Sequence, residues 1–269
     1  MQYRELAHLS DLHIGASAEN ERVAAALCRM LLQSEVDQAV ITGDVTHRGR
    51  FSELRRFQEL FEPLLKLGKV TVVPGNHDRL GEGAGKLLMN DVRVDARAVD
   101  GLYLVRLDST GPHNRSYLSS RGEVGDEVLA ELSRTLRAAS PGRLCVVLMH
   151  HHPLPLPEDS LTEWLAAKMG WPFTAEVPLG TALLEQSVGN CDLLLHGHRH
   201  IPREICFTHG PRPLHVYNAG SSTELGGFRI FRHLDGRILG APRWIGLHQR
   251  QPAAARAFGP SALLQCSVD

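Results

Sequence analysis

The sequence lacks the features that mark several specialised classes of protein. Its 269 residues contain no run of about 18 apolar residues and no signal-peptide-like stretch, so we expect a cytoplasmic protein without a membrane span. The five cysteines show no C-x-x-C spacing, which favours reduced thiols over a disulfide scaffold. Lys and Arg number 29 against 30 Asp and Glu, without interleaved basic and aromatic runs, so nucleic acid is not an expected partner.

The sequence contains instead short apolar runs that alternate with amphipathic stretches, a pattern typical of strands joined by crossover helices. With 43% hydrophobic residues, the chain can bury one α/β core with a small insertion. The runs are rich in leucine or β-branched residues, which favours buried strands of a mostly parallel sheet. They are ELAHLS (5–10), AVITGD (39–44), VTVVPGN (70–76), LYLVRLD (102–108), LCVVLMH (144–150) and DLLLHGH (192–198).

Three amphipathic stretches predict helices over 22–34, 52–68 and 126–139. Ser52 is the candidate N-cap of the second helix, because a serine hydroxyl can accept from the first free amides. After Pro202 the sequence changes to short strand-like pieces separated by glycine and proline. We expect these pieces to give the domain an antiparallel end.

Two segments do not follow this alternation. Residues 153–187 begin with a proline-rich stretch and carry Trp164 and Trp171, which fits a lid, a dimer interface or a plain surface excursion. The tail, residues 250–269, has no clear periodicity, and we expect it to be partly disordered or to pack against a partner. Residues 1–249 are therefore expected to form the structured domain.

Polar residues follow the ends of several predicted strands. Because the carboxyl ends of parallel strands lie along one edge of a sheet, we expect these side chains to converge. Burying them without a common partner would cost roughly 1–3 kcal/mol each, and a metal centre removes that cost. Oxygen and imidazole donors without thiolate suit Mn, Fe or Zn, and two ions that share a carboxylate would use this many ligands. The residues are Asp11, His13, Asp44, Asn76, His77, Asp78, His150, His198 and His200.

Five short motifs in a fixed order carry a resemblance to a known family. SDLHIG, ITGDVTH, PGNHD, LMHHHP and HGHRH occur in this order between residues 8 and about 200, and NAGS follows at 218–221. Together they resemble the calcineurin-like metallophosphoesterases, especially the small bacterial branch with class III cyclic-nucleotide phosphodiesterases and glycerophosphodiesterases. The resemblance implies an α/β fold, namely a four-layer α/β/β/α sandwich with mixed sheets. Residues 1–249 would then be the catalytic domain, with 153–187 as an insertion.

The resemblance also implies seven ligands for two metal ions. Within LMHHHP, the ungapped match to the family motif favours His150 over His151 as the ligand. His196 lies outside the G-H-x-H motif, so we expect it in a supporting or structural position. The implied set is Asp11, His13 and His200 for the first ion, Asn76, His150 and His198 for the second, and Asp44 as the bridge between them.

By the same resemblance, two divalent or mixed-valence transition metal ions would hold a bridging hydroxide that attacks the phosphorus atom. His77 belongs to the G-N-H-D motif outside the ligand set, and it would protonate the leaving oxygen or stabilise the transition state. Asp78 is expected to orient His77 or a ligand. His47 and Arg48, just beyond Asp44, fit either a substrate contact or a solvated loop.

The motifs favour one function and leave an alternative open. The leading hypothesis is hydrolysis of a small phosphodiester, with a cyclic nucleotide as the first candidate substrate. A phosphomonoesterase acting on a protein or a small molecule would use the same ligands and is the alternative. A nuclease is disfavoured by the near-neutral charge, and a non-enzymatic scaffold by the retained histidines. Both a monomer and a homodimer fit the sequence.

Overall fold

Two β-sheets packed face to face form the centre of the molecule, whose structure is a computed structural model. The structure describes residues 3–34, 36–117, 119–154, 177–209 and 212–247. Within these ranges, no helix combines the length and the hydropathy needed to cross a bilayer.

The first sheet joins strands from the two ends of the described chain. Its strands are β1 (Arg4–Leu9), β2 (Gln38–Thr42), β3 (Val70–Val73), β10 (Gly227–Leu234), β11 (Arg237–Ile238) and β12 (Arg243–Gly246). They lie in the order β11-β10-β1-β2-β3, and β12 also pairs with β10. As predicted, β1, β2 and β3 are parallel to one another, with Ala7 opposite Ala39 and Ala39 opposite Val70. β10 runs antiparallel to β1.

The second sheet contains the strands from the middle of the chain. They are β4 (Val94–Val99), β5 (Leu102–Leu107), β6 (Leu144–Leu148), β7 (Leu193–His196), β8 (Arg203–Phe207) and β9 (Leu214–Asn218). They lie in the order β4-β5-β6-β7-β9-β8, in which β4 and β8 are antiparallel edges. The predicted antiparallel end is correct for the β8–β9 pair and for β10, and β9 in addition pairs parallel to β7. Alternate residues of β8 are exposed, so this strand lies at the edge of the sheet. β9 is more deeply buried and lies inside, against β7.

Helices cover the outer faces of both sheets. They are α1 (Ala18–Gln33), α2 (Phe51–Leu60), α3 (Glu62–Lys66), α4 (Lys86–Met89), α5 (Asp126–Arg137), α6 (Gly180–Ser187) and α7 (Ser222–Leu225). The prediction of one helix over 52–68 is wrong, because α2 begins before Ser52, with Arg50 at the N-cap position, and a second helix follows. Pro63 lies in the first turn of α3 and has no amide hydrogen to continue the hydrogen bonds of α2, so a new helix begins there.

Alternation along the strands explains the four layers. In β2, Val40 packs between the two sheets, whereas Ile41 packs beneath the helices of the first sheet. In β6, Val146 faces the space between the sheets and Val147 faces the helices of the second sheet. Helices α1 and α2 cover the first sheet, and α5 and α6 cover the second. The predicted α/β/β/α sandwich with mixed sheets is therefore confirmed.

The two irregular segments are only partly described. Trp164, Trp171 and residues 250–269 lie outside the described residues, and the hypotheses of a lid, an interface and a disordered tail fall there. The described part of 153–187 includes α6, whose Leu183 is fully buried in the core of the second sheet. This part of the segment thus belongs to a helical layer of the sandwich.

Candidate metal centre

Strand ends from both sheets meet at one end of the sandwich. The donor atoms of Asp11, His13 and His200 lie within 4.8 Å of one another, and so do those of Asp11, Asp44 and His150. All seven side chains predicted as ligands lie together there, with four supplied by the first sheet and three by the second. They are Asp11 and His13 after β1, Asp44 after β2, Asn76 after β3, His150 after β6, and His198 and His200 after β7.

One half of the cluster consists of Asp11, His13 and His200. The Nε2 atom of His200 lies 3.5 Å from Oδ1 of Asp11 and 3.3 Å from Nε2 of His13. The distance from Nε2 of His13 to Oδ1 of Asp11 is 4.0 Å. Two imidazole nitrogens and a carboxylate oxygen thus approach one another, an arrangement suited to a shared cation.

The other half is formed around His150. Its Nε2 atom lies 3.1 Å from Oδ1 of Asn76 and 3.4 Å from Oδ2 of Asp44, and its ring centroid is 5.2 Å from that of His198. Oδ2 of Asp44 is also 4.0 Å from Nε2 of His13 in the first half. Asp44 therefore lies between the two groups of donors.

The backbone at the cluster adopts a conformation that side chains other than glycine rarely take. The φ angle is 53° at Asp11, 48° at His13, 49° at Asp44 and 71° at His198. In this left-handed region Cβ is crowded against the backbone, which costs roughly 1 kcal/mol or more per residue. Four of the seven predicted ligands thus lie on strained turns, and such strain is concentrated at functional sites.

Two motif glycines let the carboxylates pack against neighbouring loops. A Cβ atom at Gly75 would lie 2.2 Å from Oδ1 of Asp44, and one at Gly197 would lie 2.5 Å from Oδ2 of Asp11. Both distances are far shorter than a van der Waals contact, so any larger residue would displace a carboxylate. The glycines of G-N-H-D and G-H-x-H are therefore required by the packing of the cluster.

The buried carboxylates crowd one another, and one of their oxygen atoms has no hydrogen-bond donor within the described part of the chain. Asp11 is fully buried, and no hydrogen bond from the described residues satisfies its Oδ1 atom. Burial and then the negative charge of Asp44 raise the pKa of Asp78 to about 6. A divalent cation would supply the missing partner of Asp11 and neutralise the charge of Asp44. The buried oxygen and imidazole donors fit a pair of transition metal ions.

Two of the clustered histidines are held neutral. Burial lowers the pKa of His13 to about 4, although the charges of Asp44 and Asp11 act in the opposite direction. Burial next to other histidines also lowers the pKa of His198 well below its usual value. Because the neutral imidazole is the form that binds a metal ion, both rings are ready to act as ligands.

Two other histidines are held charged by neighbouring carboxylates. Burial disfavours the charged form of His150, but the attraction of Asp44 outweighs it and raises the pKa of His150 to about 9. Burial is outweighed in the same way at His200, where Asp11 and Glu224 raise the pKa to about 11. A metal ion bound by these two residues at neutral pH would have to displace a proton from each ring.

His77 lies beside the cluster with one ring nitrogen fixed. Its Nδ1 atom donates to the carbonyl oxygen of His47 at 2.8 Å, and its ring centroid is 4.7 Å from that of His13. Because a carbonyl oxygen only accepts, Nδ1 carries a proton, and Nε2 can hold or release a second one. The His47 ring is 5.6 Å from the His77 ring, whereas the Arg48 side chain is exposed.

Asp78 connects two loops of the cluster. Its carboxylate accepts from the amide of Gly75 at 2.9 Å, from the amide of Thr46 at 2.8 Å and from the Thr46 hydroxyl at 2.7 Å. Among the described contacts, no hydrogen bond joins it to the imidazole of His77. Of the two alternatives stated for Asp78, these contacts favour support of the ligand-bearing loop that carries Asp44.

Two neighbouring histidines have partners of their own. Nδ1 of His151 lies 2.8 Å from the hydroxyl oxygen of Ser109, and Nδ1 of His196 lies 3.2 Å from the carbonyl oxygen of Gly197. Burial lowers the pKa of His196 to about 4, so its ring is neutral. His196 thus occupies a buried position at the end of β7, behind the cluster.

The sequence analysis missed Glu224, which contacts the outer side of His200. Oε1 of Glu224 lies 3.0 Å from Nδ1 of His200. Glu224 is held at the start of α7, where its amide donates to the hydroxyl of Ser221 at 3.4 Å. The S-x-x-E spacing signals a helix start. It does not signal that the carboxylate reaches a histidine 24 residues away.

Replacing Glu224 by glutamine should weaken Mn²⁺ binding about 10- to 100-fold, because a carboxylate behind a ligating histidine fixes the tautomer and orientation of the ring. Calorimetric titration of the metal-free protein with Mn²⁺ measures this effect. Glu185→Gln, on the exposed surface of α6, is the matched control and should bind as the wild type does. Unchanged affinity in Glu224→Gln would contradict the orienting role.

Known proteins share both sequence and fold with this chain. Over 127 residues it is 29% identical to the 3′,5′-cyclic adenosine monophosphate phosphodiesterase CpdA of Pseudomonas aeruginosa. The match covers 47% of this chain and 44% of that protein, so it spans less than half of this curated relative. This similarity agrees with the predicted bacterial class III branch.

Solved structures share the fold. Purple acid phosphatase PPD1 from yellow lupin is 12% identical with a TM-score of 0.64, over 94% of this chain and 53% of that chain. A dimetal phosphatase from Danio rerio is 12% identical with a TM-score of 0.62, over 91% of this chain and 99% of that chain. At such low identity the likeness establishes a common architecture.

The family model described as calcineurin-like phosphoesterase matches residues 5–202. This range is most of the chain and includes the strand ends that carry all seven predicted ligands. By this match, and in agreement with its sandwich fold and its histidine and aspartate cluster, the chain belongs to the calcineurin-like phosphoesterase family, whose members hydrolyse phosphoesters.

Proposed function

We propose that this protein is a phosphodiesterase that hydrolyses small diesters, with cyclic nucleotides as the leading substrate class and two Mn, Fe or Zn ions as cofactors. The observation that carries the proposal is the position of Asp44 between two groups of donors. Its Oδ2 atom lies 3.4 Å from Nε2 of His150 and 4.0 Å from Nε2 of His13. The similarity to a protein named as a cyclic AMP phosphodiesterase supports a diester substrate. Residues 1–249 would form the catalytic domain.

The proposal assigns the ligands as two groups that share one carboxylate. His150 is preferred to His151 because its Nε2 atom approaches Asn76 and Asp44, whereas the donor atoms grouped with His151 are those of His150 and His198. When bound, the ions would generate a nucleophile from water and neutralise charge on the phosphoryl oxygens. The assignment is Asp11, His13 and His200 for one ion, Asn76, His150 and His198 for the other, and Asp44 for both.

The remaining step, proton transfer to the leaving group, is assigned to His77. Because its Nδ1 proton is held by the His47 carbonyl, the protonated ring offers its second proton from Nε2. We propose that this proton passes to the leaving oxygen, which departs as a neutral alcohol. The amide of His77 donates to Oδ1 of Asp44 at 2.8 Å, so the acid and the shared carboxylate are fixed relative to each other.

Hydrolysis of two chromogenic esters tests the substrate class. On one Mn²⁺-reconstituted preparation, bis-p-nitrophenyl phosphate should be hydrolysed faster than p-nitrophenyl phosphate, and the metal-free protein should hydrolyse neither. Release of a nucleoside monophosphate from 3′,5′-cyclic AMP would then extend the result to cyclic nucleotides. A preference for the monoester would reject the diesterase assignment and favour a phosphomonoesterase with the same metal centre.

A further inference from the structure

A loop held in place by its own hydrogen bonds, the braced loop, lies beside the candidate metal centre. It follows β5, and its middle is held closed by Asn114, which is fully buried. Oδ1 of Asn114 accepts from the amide of Gly111 at 2.7 Å, and its Nδ2 donates to the carbonyl oxygens of Ser119 at 2.9 Å and Arg121 at 3.0 Å. One side chain thus ties both arms of the loop together.

The base of the loop is fixed to the turn that carries His77. Arg79, two residues after His77, donates from Nε to the hydroxyl of Thr110 at 2.8 Å and forms an ion pair with the buried Asp108. Arg93 donates to the carbonyl oxygen of Thr110 at 2.7 Å. The base of the loop is therefore fixed to the turn that carries the candidate catalytic histidine.

Tyr117 lies at the tip of this loop. Its side chain is a large aromatic group left 58% exposed, and its ring centroid is 6.0 Å from that of His77 at an interplanar angle of 77°. An edge contact of this kind leaves much of the tyrosine ring uncovered. Tyrosine loses little conformational entropy on binding because it has few rotatable bonds, and the braced loop reduces that cost further.

We propose that Tyr117 stacks on the nucleobase of the substrate, an inference that rests on the proposed function and deepens it. A phosphoryl group beside His77 places the rest of the substrate next to this ring, and in a nucleotide the next rigid group beyond the sugar is a flat base. Stacking of a base on an aromatic side chain contributes roughly 1–3 kcal/mol and tolerates any base. Tyr117 thus distinguishes nucleotides from esters without an aromatic group, while it discriminates little between adenine and guanine.

Equilibrium binding tests the proposal without any need for turnover. The Mn²⁺-loaded full chain is titrated in a calorimeter with the 5′-phosphonate analogues of AMP and of ribose 5-phosphate, whose P–C bonds are not hydrolysed. The wild type should bind the adenosine compound about 5- to 150-fold more tightly, which is the stacking energy expressed as a ratio of Kd values. Tyr117→Ala should remove this advantage and leave the Kd of the ribose compound unchanged, and Tyr117→Trp should keep the advantage.

Tyr3→Ala is the matched control. Tyr3 is 48% exposed, precedes β1 at the end of the strand remote from the cluster, and packs against Arg232. This variant should bind both probes as the wild type does. Equal binding of the two probes by the wild type would overturn the proposal, and so would an adenosine advantage that survives Tyr117→Ala. An equal loss of both probes in Tyr117→Ala would assign the residue to support of the phosphate site.

The two proposals can fail separately. A preference for p-nitrophenyl phosphate would reject the diesterase assignment, yet a base-dependent affinity lost in Tyr117→Ala would still establish the stacking residue. Conversely, if the protein hydrolyses diesters but binds the two probes equally, the proposed reaction stands and base stacking by Tyr117 is rejected.

Discussion

Replacing Asp44 by asparagine should remove both metal ions and reduce hydrolysis to the metal-free background. Asparagine keeps an oxygen that can accept from the His77 amide, 2.8 Å from Oδ1 in the wild type, but it loses the charge between His150 and His13. A neutral amide is a weak ligand for a transition metal and a poor bridge between two. Metal content by mass spectrometry and the rate with bis-p-nitrophenyl phosphate check this result.

The fold of Asp44→Asn should persist, which separates loss of metal from loss of structure. Asp44 repels Asp78, but it also attracts the buried His150 and raises the pKa of that ring to about 9, so removing its charge costs the metal-free protein this attraction. Urea unfolding in the presence of a chelator should remain a single cooperative transition, with a lower free energy than that of the wild type because this attraction is lost. The control is Asp192→Asn, which should keep both ions. Asp192 directly precedes β7, and its carboxylate accepts a hydrogen bond from the amide of Cys145. Two retained ions and full activity in Asp44→Asn would refute the bridging role.

Replacing His77 by alanine should leave the metal content intact and lower kcat/KM about 10²- to 10⁴-fold, the range expected for loss of a general acid. The hydrogen bond from Nδ1 to His47 leaves Nε2 as the atom that can deliver a proton. The loss should be largest for esters with poor leaving groups and small for p-nitrophenyl esters, whose leaving oxygen needs no proton.

A series of diesters with leaving groups of increasing pKa measures this dependence. His215→Ala, which removes a half-buried imidazole on β9, is the control and should follow the wild type throughout. A loss of the same size for every leaving group would assign His77 to electrostatic stabilisation of the transition state. Loss of metal from His77→Ala would instead make it a ligand.

Much of the fold was predictable because its signals are local. All six apolar runs form strands, and the helices predicted over 22–34 and 126–139 correspond to α1 and α5. The convergence of polar groups at the strand ends follows from parallel connections, which place every carboxyl end on the same side. A reader of the sequence can therefore find the site before knowing how the strands are divided between sheets.

One of the strands that escaped prediction, β4, is an edge. In β4 only Val94 is buried, and Asp95 and Arg97 interrupt the apolar pattern, so hydrophobic alternation gives little signal there. Its conformation depends on pairing with β5, which supplies the hydrogen bonds and the cover. Edge strands of this kind are determined by tertiary contacts that a single sequence does not display.

The side chains around the predicted ligands were also beyond the sequence. Glu224 meets His200 across 24 residues, and Ser109 meets His151 across 42. Glutamate and serine are common residue types, and these two lie in a helix start and a loop outside the recognised motifs. The residue type therefore does not indicate the partner. Ligands are recognisable from motifs, whereas the groups that support them emerge only when the layers are packed.

The contact between His13 and His200 joins positions 187 residues apart in the chain. Closing so long a loop is entropically costly, so we expect the contact to form late in folding, after the strands on both sides have formed. Ions that bind only the completed sandwich stabilise interactions absent from the folding transition state, which slows unfolding without accelerating folding. The bound ions would thus prolong the lifetime of the folded protein more than they would change its folding rate.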